Sequence, residues 1–293
     1  AQGEARDVGS RGNDDAAKPA SDRNGGRVGD AADTKPVRPR VKREAKEGAS
    51  QVPYEPVSTI AALDTLIPVN MATPAREAMK KVEERRGSLD DYVADRLGYE
   101  SDAEGPFFID ADGTKQRPFA AEQIDALAAA IDNIERGSAF VNGAQTGIGK
   151  GRTAAGVLRY AMKKGLTPVF LTEKPDLYGD MYRDLRDIGV PEMLGREPRM
   201  FITNAGETIT LDEDALSWKQ ESEETRRNGE PAPKKRGKFL VGGTAAKVQD
   251  GMKKIANGDD IADVVFTTYD QLNTVKGAST PRRAFLSQIA PQS

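Results

Sequence analysis

Eight consecutive residues carry the clearest chemistry in this chain: Ala144-Gln145-Thr146-Gly147-Ile148-Gly149-Lys150-Gly151, followed by Arg152. The spacing is that of a phosphate-binding loop, in which glycines let backbone N–H groups turn inward and a lysine meets phosphate oxygens as a point charge. Such a loop requires a strand before it and a helix after it. The run Ser138 to Val141 reads as the strand, and 152–164 has the apolar spacing of the helix, whose N-terminus adds partial positive charge. These features point to ATP or a related nucleotide as ligand, with Lys150 as the catalytic cation. A glycine-rich turn with an incidental lysine is the plain alternative.

The pattern departs from G-x-x-x-x-G-K-[ST] in two places. Ala144 stands at the first glycine, as in loops of the form A-x-x-G-x-G-K. Gly151 stands where a Ser or Thr hydroxyl ordinarily meets Mg²⁺. Neither Thr146 nor Thr153 is an obvious substitute, so the metal ligands are unassigned.

The elements around the loop follow from periodicity. Ile124, Leu127, Ala128, Ile131 and Ile134 form the apolar stripe of a helix over 120–136. After the loop, strands and helices alternate: strand 168–172, helix 175–187, strand 199–203, a polar insert over 205–240, helix 244–256 and strand 263–268. That alternation predicts an α/β fold with a parallel sheet and helices on both faces, with ligands at the carboxyl ends of the strands. The loop, Thr172 and Thr267-Thr268 fall at that edge. Upstream, 53–68 is an extended or short helical lead-in. Thr73 and Pro74 read as cap and first residue of a helix to Arg86. Ser88 caps another over 89–97, and 106–119 is a hairpin turning at Asp112-Gly113. Residues 1–50 hold almost no large apolar side chains and read as a disordered tail. The expected organisation is therefore a tail over 1–50, a helical accessory region over 51–118 and a nucleotide-binding lobe over 119–293.

Composition sets outer limits. Of the 293 residues, 37% are hydrophobic and 30% charged, and the net charge is -3, so no global basic character marks a nucleic-acid binder. With no cysteine and no histidine, disulfides, zinc sites, thiol chemistry and histidine-based triads are excluded. The lack of cysteine fits a reducing cytoplasm, and no apolar run approaches a membrane span.

Several stretches together resemble the strawberry notch group of superfamily 2 helicases. They are Phe119 to Leu127, Ile134 to Gly137, Gln145 to Arg152 with its G-K-G-R sequence, Arg183 to Gly189, and Phe266 to Leu272. Phage and plasmid antirestriction proteins that join methyltransferase and helicase regions look closest, and 67–101 adds to the likeness, which covers about 53–275. The resemblance implies the first RecA-like lobe of a motor that uses ATP and Mg²⁺ on nucleic acid, DNA first. Gln123 would read adenine with Phe119 packed nearby, and Lys150 would hold the β- and γ-phosphates. Thr172 to Lys174, and Thr267 with Thr268, would follow the strand. The acidic motif and second lobe of such motors are not found after Thr268, so the chain is expected to be a fragment with little turnover alone. Two other readings stay open: a nucleotide-binding interaction module without motor function, and a P-loop ATPase of another group. The lysine cluster at 234–238 is a solvated insert or a nucleic-acid contact.

Overall fold

The computed structural model describes residues 50–144, 149–272 and 281–290. The tail expected over 1–50 lies, apart from its last residue, outside them. Strand β1 (Gln51–Pro53) pairs antiparallel with β2 (Leu66–Pro68). Helix α1 (Val69–Arg86) continues from β2 without a break. It begins four residues before the expected cap at Thr73 and carries Pro74 in its second turn. A proline that early removes a single ladder bond, and β2 delivers the chain directly into helical geometry. Helix α2 (Leu89–Leu97) matches expectation: Ser88 Oγ accepts from the Asp91 N–H at 3.3 Å, and Gly98 ends the helix at φ 72°.

Strands β3 (Glu100–Asp102), β4 (Gly105–Ile109) and β5 (Lys115–Gln116) form an antiparallel sheet in that order. The region before residue 119 thus holds two small sheets as well as its helices. It also shares its core with the nucleotide-binding lobe: Leu89, Val93 and Leu97 of α2 belong to one apolar cluster with Ile124, Leu127 and Ile131.

Those last three lie on α3 (Ala121–Glu135). The expected stripe holds as far as Ile131, but Ile134 is 41% exposed. The polar face of α3 is buried too, because it organises the chain between β1 and β2. Asp125 accepts from Tyr54 OH (2.8 Å) and the N–H groups of Val57 (2.9 Å) and Ser58 (2.8 Å). Glu122 accepts from the Leu63 N–H at 2.9 Å. Asp132 accepts from Arg85 at 2.6 Å and Arg86 at 2.8 Å. Buried carboxylates are tolerable when their lone pairs are filled in this way.

The remaining elements are α4 (Lys150–Lys163), β6 (Val169–Thr172), α5 (Leu177–Asp187), α6 (Val190–Leu194), β7 (Met200–Ile202), β8 (Thr208–Thr210), α7 (Glu213–Asn228), β9 (Phe239–Val241), α8 (Ala245–Asn257), β10 (Val264–Thr268), α9 (Tyr269–Leu272) and α10 (Pro281–Ile289). Strands β6, β10 and β7 form a parallel sheet with β10 central. Alternation along β10 sends side chains to both faces. Phe266 stacks on Tyr178 of α5 with ring centres 5.1 Å apart, while Val265 joins Val248, Met252 and Phe285 of α8 and α10. The α/β architecture with helices on both faces is as expected.

One strand is not. Residues 138–144 form no ladder, and Val141 is 87% exposed. Gly137 and Ser138 are instead occupied with closing α3, donating to the carbonyls of Ile134 and Asn133. Strand propensity expresses fit to a half-buried pleated surface, and no described strand pairs with this run.

The polar insert has a structure of its own. Strand β8 pairs antiparallel with β9, and α7 crosses between them. Trp218 sits edge-on to Phe239 at 5.3 Å, and its indole N–H donates to the Pro233 carbonyl at 3.0 Å.

Candidate nucleotide site

Gln145, Thr146, Gly147 and Ile148 lie outside the described residues; the site is built from the residues that flank them. Gly149 has φ 74° and ψ 40° and forms the N-cap of α4, with its carbonyl accepting from the Thr153 N–H at 3.1 Å. Only glycine takes that left-handed geometry at no cost. Gly149 brings no side chain to cap α4. First-turn N–H groups of a helix have no partner within it, and the helix dipole favours an anion there. Lys150 is exposed at the same end. Upstream, the Ala144 N–H donates to Asn142 Oδ1 at 3.1 Å.

Gln123 approaches the loop from α3. It is 7% exposed, and its Oε1 accepts from the Ala120 N–H at 3.1 Å. Its amide nitrogen fills the space a Cβ on Gly149 would take. Gly149 is therefore required twice, for its backbone angle and for this close approach. Further along, a Cβ on Gly156 would stand 2.6 Å from Leu127 Cδ2, so α3 and α4 pack with almost no separation.

Gly151 has a comparable neighbour. A Cβ there would overlap Asp184 Oδ2 of α5. Arg152, the next residue, donates to Asp187 at 2.7 Å and stands 3.9 Å from Asp184, with a weaker bond to the Pro118 carbonyl at 3.4 Å. Burial pushes the Asp184 carboxyl up to about 6. Arg152 opposes that shift, while Asp187 and Asp180 add to it. Sequence reasoning singles out the stretch 183–189 without giving Asp184 a role. One aspartate among several charged residues of a helix carries no local signal; only its apposition to Gly151 does.

Phe119 is 7% exposed, belongs to the main apolar cluster and meets Tyr99 edge-on at 6.0 Å. At the carboxyl edge of the sheet, Thr172 is 6% exposed, Thr267 0% and Thr268 2%. Thr203 Oγ1 donates to Thr267 Oγ1 at 2.7 Å, and the Asn204 amide donates to Thr268 Oγ1 at 3.1 Å. Tyr178 OH donates to Asn204 Oδ1 at 2.8 Å, and Arg282 donates to the Thr203 carbonyl at 3.0 Å. The hydroxyls of Thr267 and Thr268 are thus each bonded within the protein, whereas Lys174 is exposed. In the insert, Lys235 lies over the Phe239 ring at 4.3 Å and Arg236 pairs with Glu221 at 2.6 Å, which neutralises part of the basic cluster.

Residues 109–229 match the family model described as P-loop containing NTP hydrolase pore-1. The chain carries a P-loop NTPase domain. The matched segment starts at the end of β4 and takes in α3, the loop, α4, β6, α5, β7 and most of the insert. Neither a curated protein nor a solved structure matches the chain. No helix among the described residues is long and apolar enough to cross a membrane.

P-loop NTPases act on a nucleoside triphosphate with Mg²⁺. The α4 terminus, Gly149 and Lys150 fit the phosphates. For the metal, no group of three or more His, Cys, Asp or Glu side chains placed to hold an ion occurs among the described residues. Mg²⁺ bound to a nucleotide keeps waters and phosphate oxygens and needs one or two protein ligands.

Proposed function

We propose that this P-loop NTPase domain is the ATP-binding lobe of a superfamily 2 DNA helicase or translocase of the strawberry notch type. The placement of Gln123 against Gly149 carries the reading. A glutamine on the helix before the loop, in contact with the loop's last glycine before the lysine, sits where one side chain can sense both base and phosphates. Its amide offers donor and acceptor together, the complement of an adenine edge.

In this reading Lys150 and the first-turn N–H groups of α4 hold the β- and γ-phosphates, and Mg²⁺ supplies charge neutralisation between them. Lys174, exposed beside Thr172, is the nearest candidate for a strand phosphate. DNA as track, a second motor lobe, a methyltransferase region in the same protein and a cytoplasmic setting complete the proposal. The test is ATP turnover by the longest natural form, with and without single- and double-stranded DNA. Stimulation by DNA, lost in Lys150→Ala, is the expected outcome. A chain that binds ATP with no response to nucleic acid would be the interaction module instead. The burial of Thr267 and Thr268 favours that second reading, since a strand-gripping edge ought to present its hydroxyls.

A further inference from the structure

The unusual residue of the loop is Gly151, and the structure supplies a reason for it. The space a side chain would take there is filled by a carboxylate from α5. Gly151 and Asp184 are thus complementary: one has no side chain, and the other projects an oxygen beside the missing Cβ. A Ser or Thr hydroxyl at this position would lie about one bond length beyond that Cβ. An oxygen donor is therefore present near the same place, contributed by a different helix.

The charges around it support a role beyond packing. Arg152 lies close to Asp187 and only loosely near Asp184, at 2.7 Å and 3.9 Å. The Asp184 side chain accepts no hydrogen bond from any described residue; Arg152 and Arg183 favour its charged form, Asp187 and Asp180 oppose it, and burial outweighs them all. A carboxylate whose charged form is disfavoured by burial gains from one further positive charge beside it. A hard divalent cation on phosphates bound at α4 would provide it.

We propose that Asp184 replaces the missing hydroxyl of the phosphate loop and serves as the protein oxygen ligand for nucleotide-bound Mg²⁺, with Gly151 as the vacancy that admits it. The inference rests on the nucleotide-site reading, and the experiment separates the two. Affinity for ADP and for a non-hydrolysable ATP analogue is measured by calorimetry, once with Mg²⁺ and once with EDTA. Mn²⁺ in place of Mg²⁺ gives a spin-resonance signal that reports the metal directly.

Wild type should bind nucleotide in EDTA and tighten about tenfold or more with Mg²⁺. Asp184→Asn should keep the EDTA affinity, lose the tightening and alter the Mn²⁺ spectrum. Asp184→Glu should recover part of it. Gly151→Ser combined with Asp184→Ala, which puts a hydroxyl into the emptied space, should restore the metal dependence. Full Mg²⁺ tightening in Asp184→Asn overturns the inference and leaves nucleotide binding standing. An equal loss with and without metal also overturns it, marking Asp184 as a support for the loop. No nucleotide binding by wild type under either condition removes the underlying reading as well.

Discussion

The amide of Gln123 on α3 lies directly against the backbone of Gly149, the N-cap of α4. Replacing Gly149 by Ala would add a methyl group into that amide and hold a non-glycine residue at φ 74°. The backbone alone costs about 1–2 kcal/mol. Nucleotide affinity should fall by at least about tenfold, since about 1.4 kcal/mol is a factor of ten. Calorimetry with ADP reads it directly; an unchanged affinity would mean that Gln123 does not constrain the loop.

Gln123→Ala separates base reading from helix capping. If the amide senses adenine, the preference for ATP over GTP should collapse. If it only caps α3, the preference stays and the melting midpoint falls, by an amount matching loss of one cap interaction of about 1 kcal/mol. Paired nucleotide competition and thermal unfolding on the same variant distinguish the two.

Gly156→Val tests whether the helix pair sets the site. The substitution drives a branched side chain into Leu127, already 2.6 Å from a bare Cβ. Overpacking of that kind costs about 1–3 kcal/mol, and α4 can relieve it only by backing away from α3. Stability and nucleotide affinity should both drop. Gly156→Val with Leu127→Ala should recover much of each. A variant with normal stability would show that the two helices have slack.

Acid should weaken the junction of α1 and α3. Burial would push the Asp132 carboxyl up, but Arg85, Arg86 and Arg136 outweigh it and hold it below the usual aspartate range. A depressed folded-state value stabilises the fold at pH above the unfolded aspartate value of about 4 and is lost as pH falls through the lower folded value. Asp132→Asn should flatten that part of the acid limb in denaturant titrations and cost about 1–3 kcal/mol at neutral pH. An acid limb identical to wild type would assign the loss to other carboxylates.

How much of this could be read from residue order alone varies with the kind of interaction. The Ser88 cap, the turn at Asp112-Gly113 and the strand at 264–268 are local patterns, and each is where its own neighbours dictate. Ile134 illustrates the first failure: it continues the helical stripe of α3, yet the core ends one turn earlier. Phe140 and Val141 illustrate the second, since strand-forming residues make no strand without a neighbouring partner. Asp184 illustrates the third. Its importance comes from a contact with Gly151, far away in the chain, set by how α4 and α5 pack. The insert was legible only as polar because Trp218 and Phe239, which organise it, stand far apart in a charged stretch.

The carboxylates of α3 also bear on where this protein can be cut. Asp125 and Glu122 are satisfied by backbone N–H groups that precede them by roughly sixty to seventy positions. An expression boundary placed at residue 119, where sequence patterns put the start of the nucleotide-binding lobe, would remove every one of those donors. It would leave two acids stranded on the helix that carries Gln123. A boundary that keeps all of these donors with α3 lies near residue 50, ahead of Tyr54.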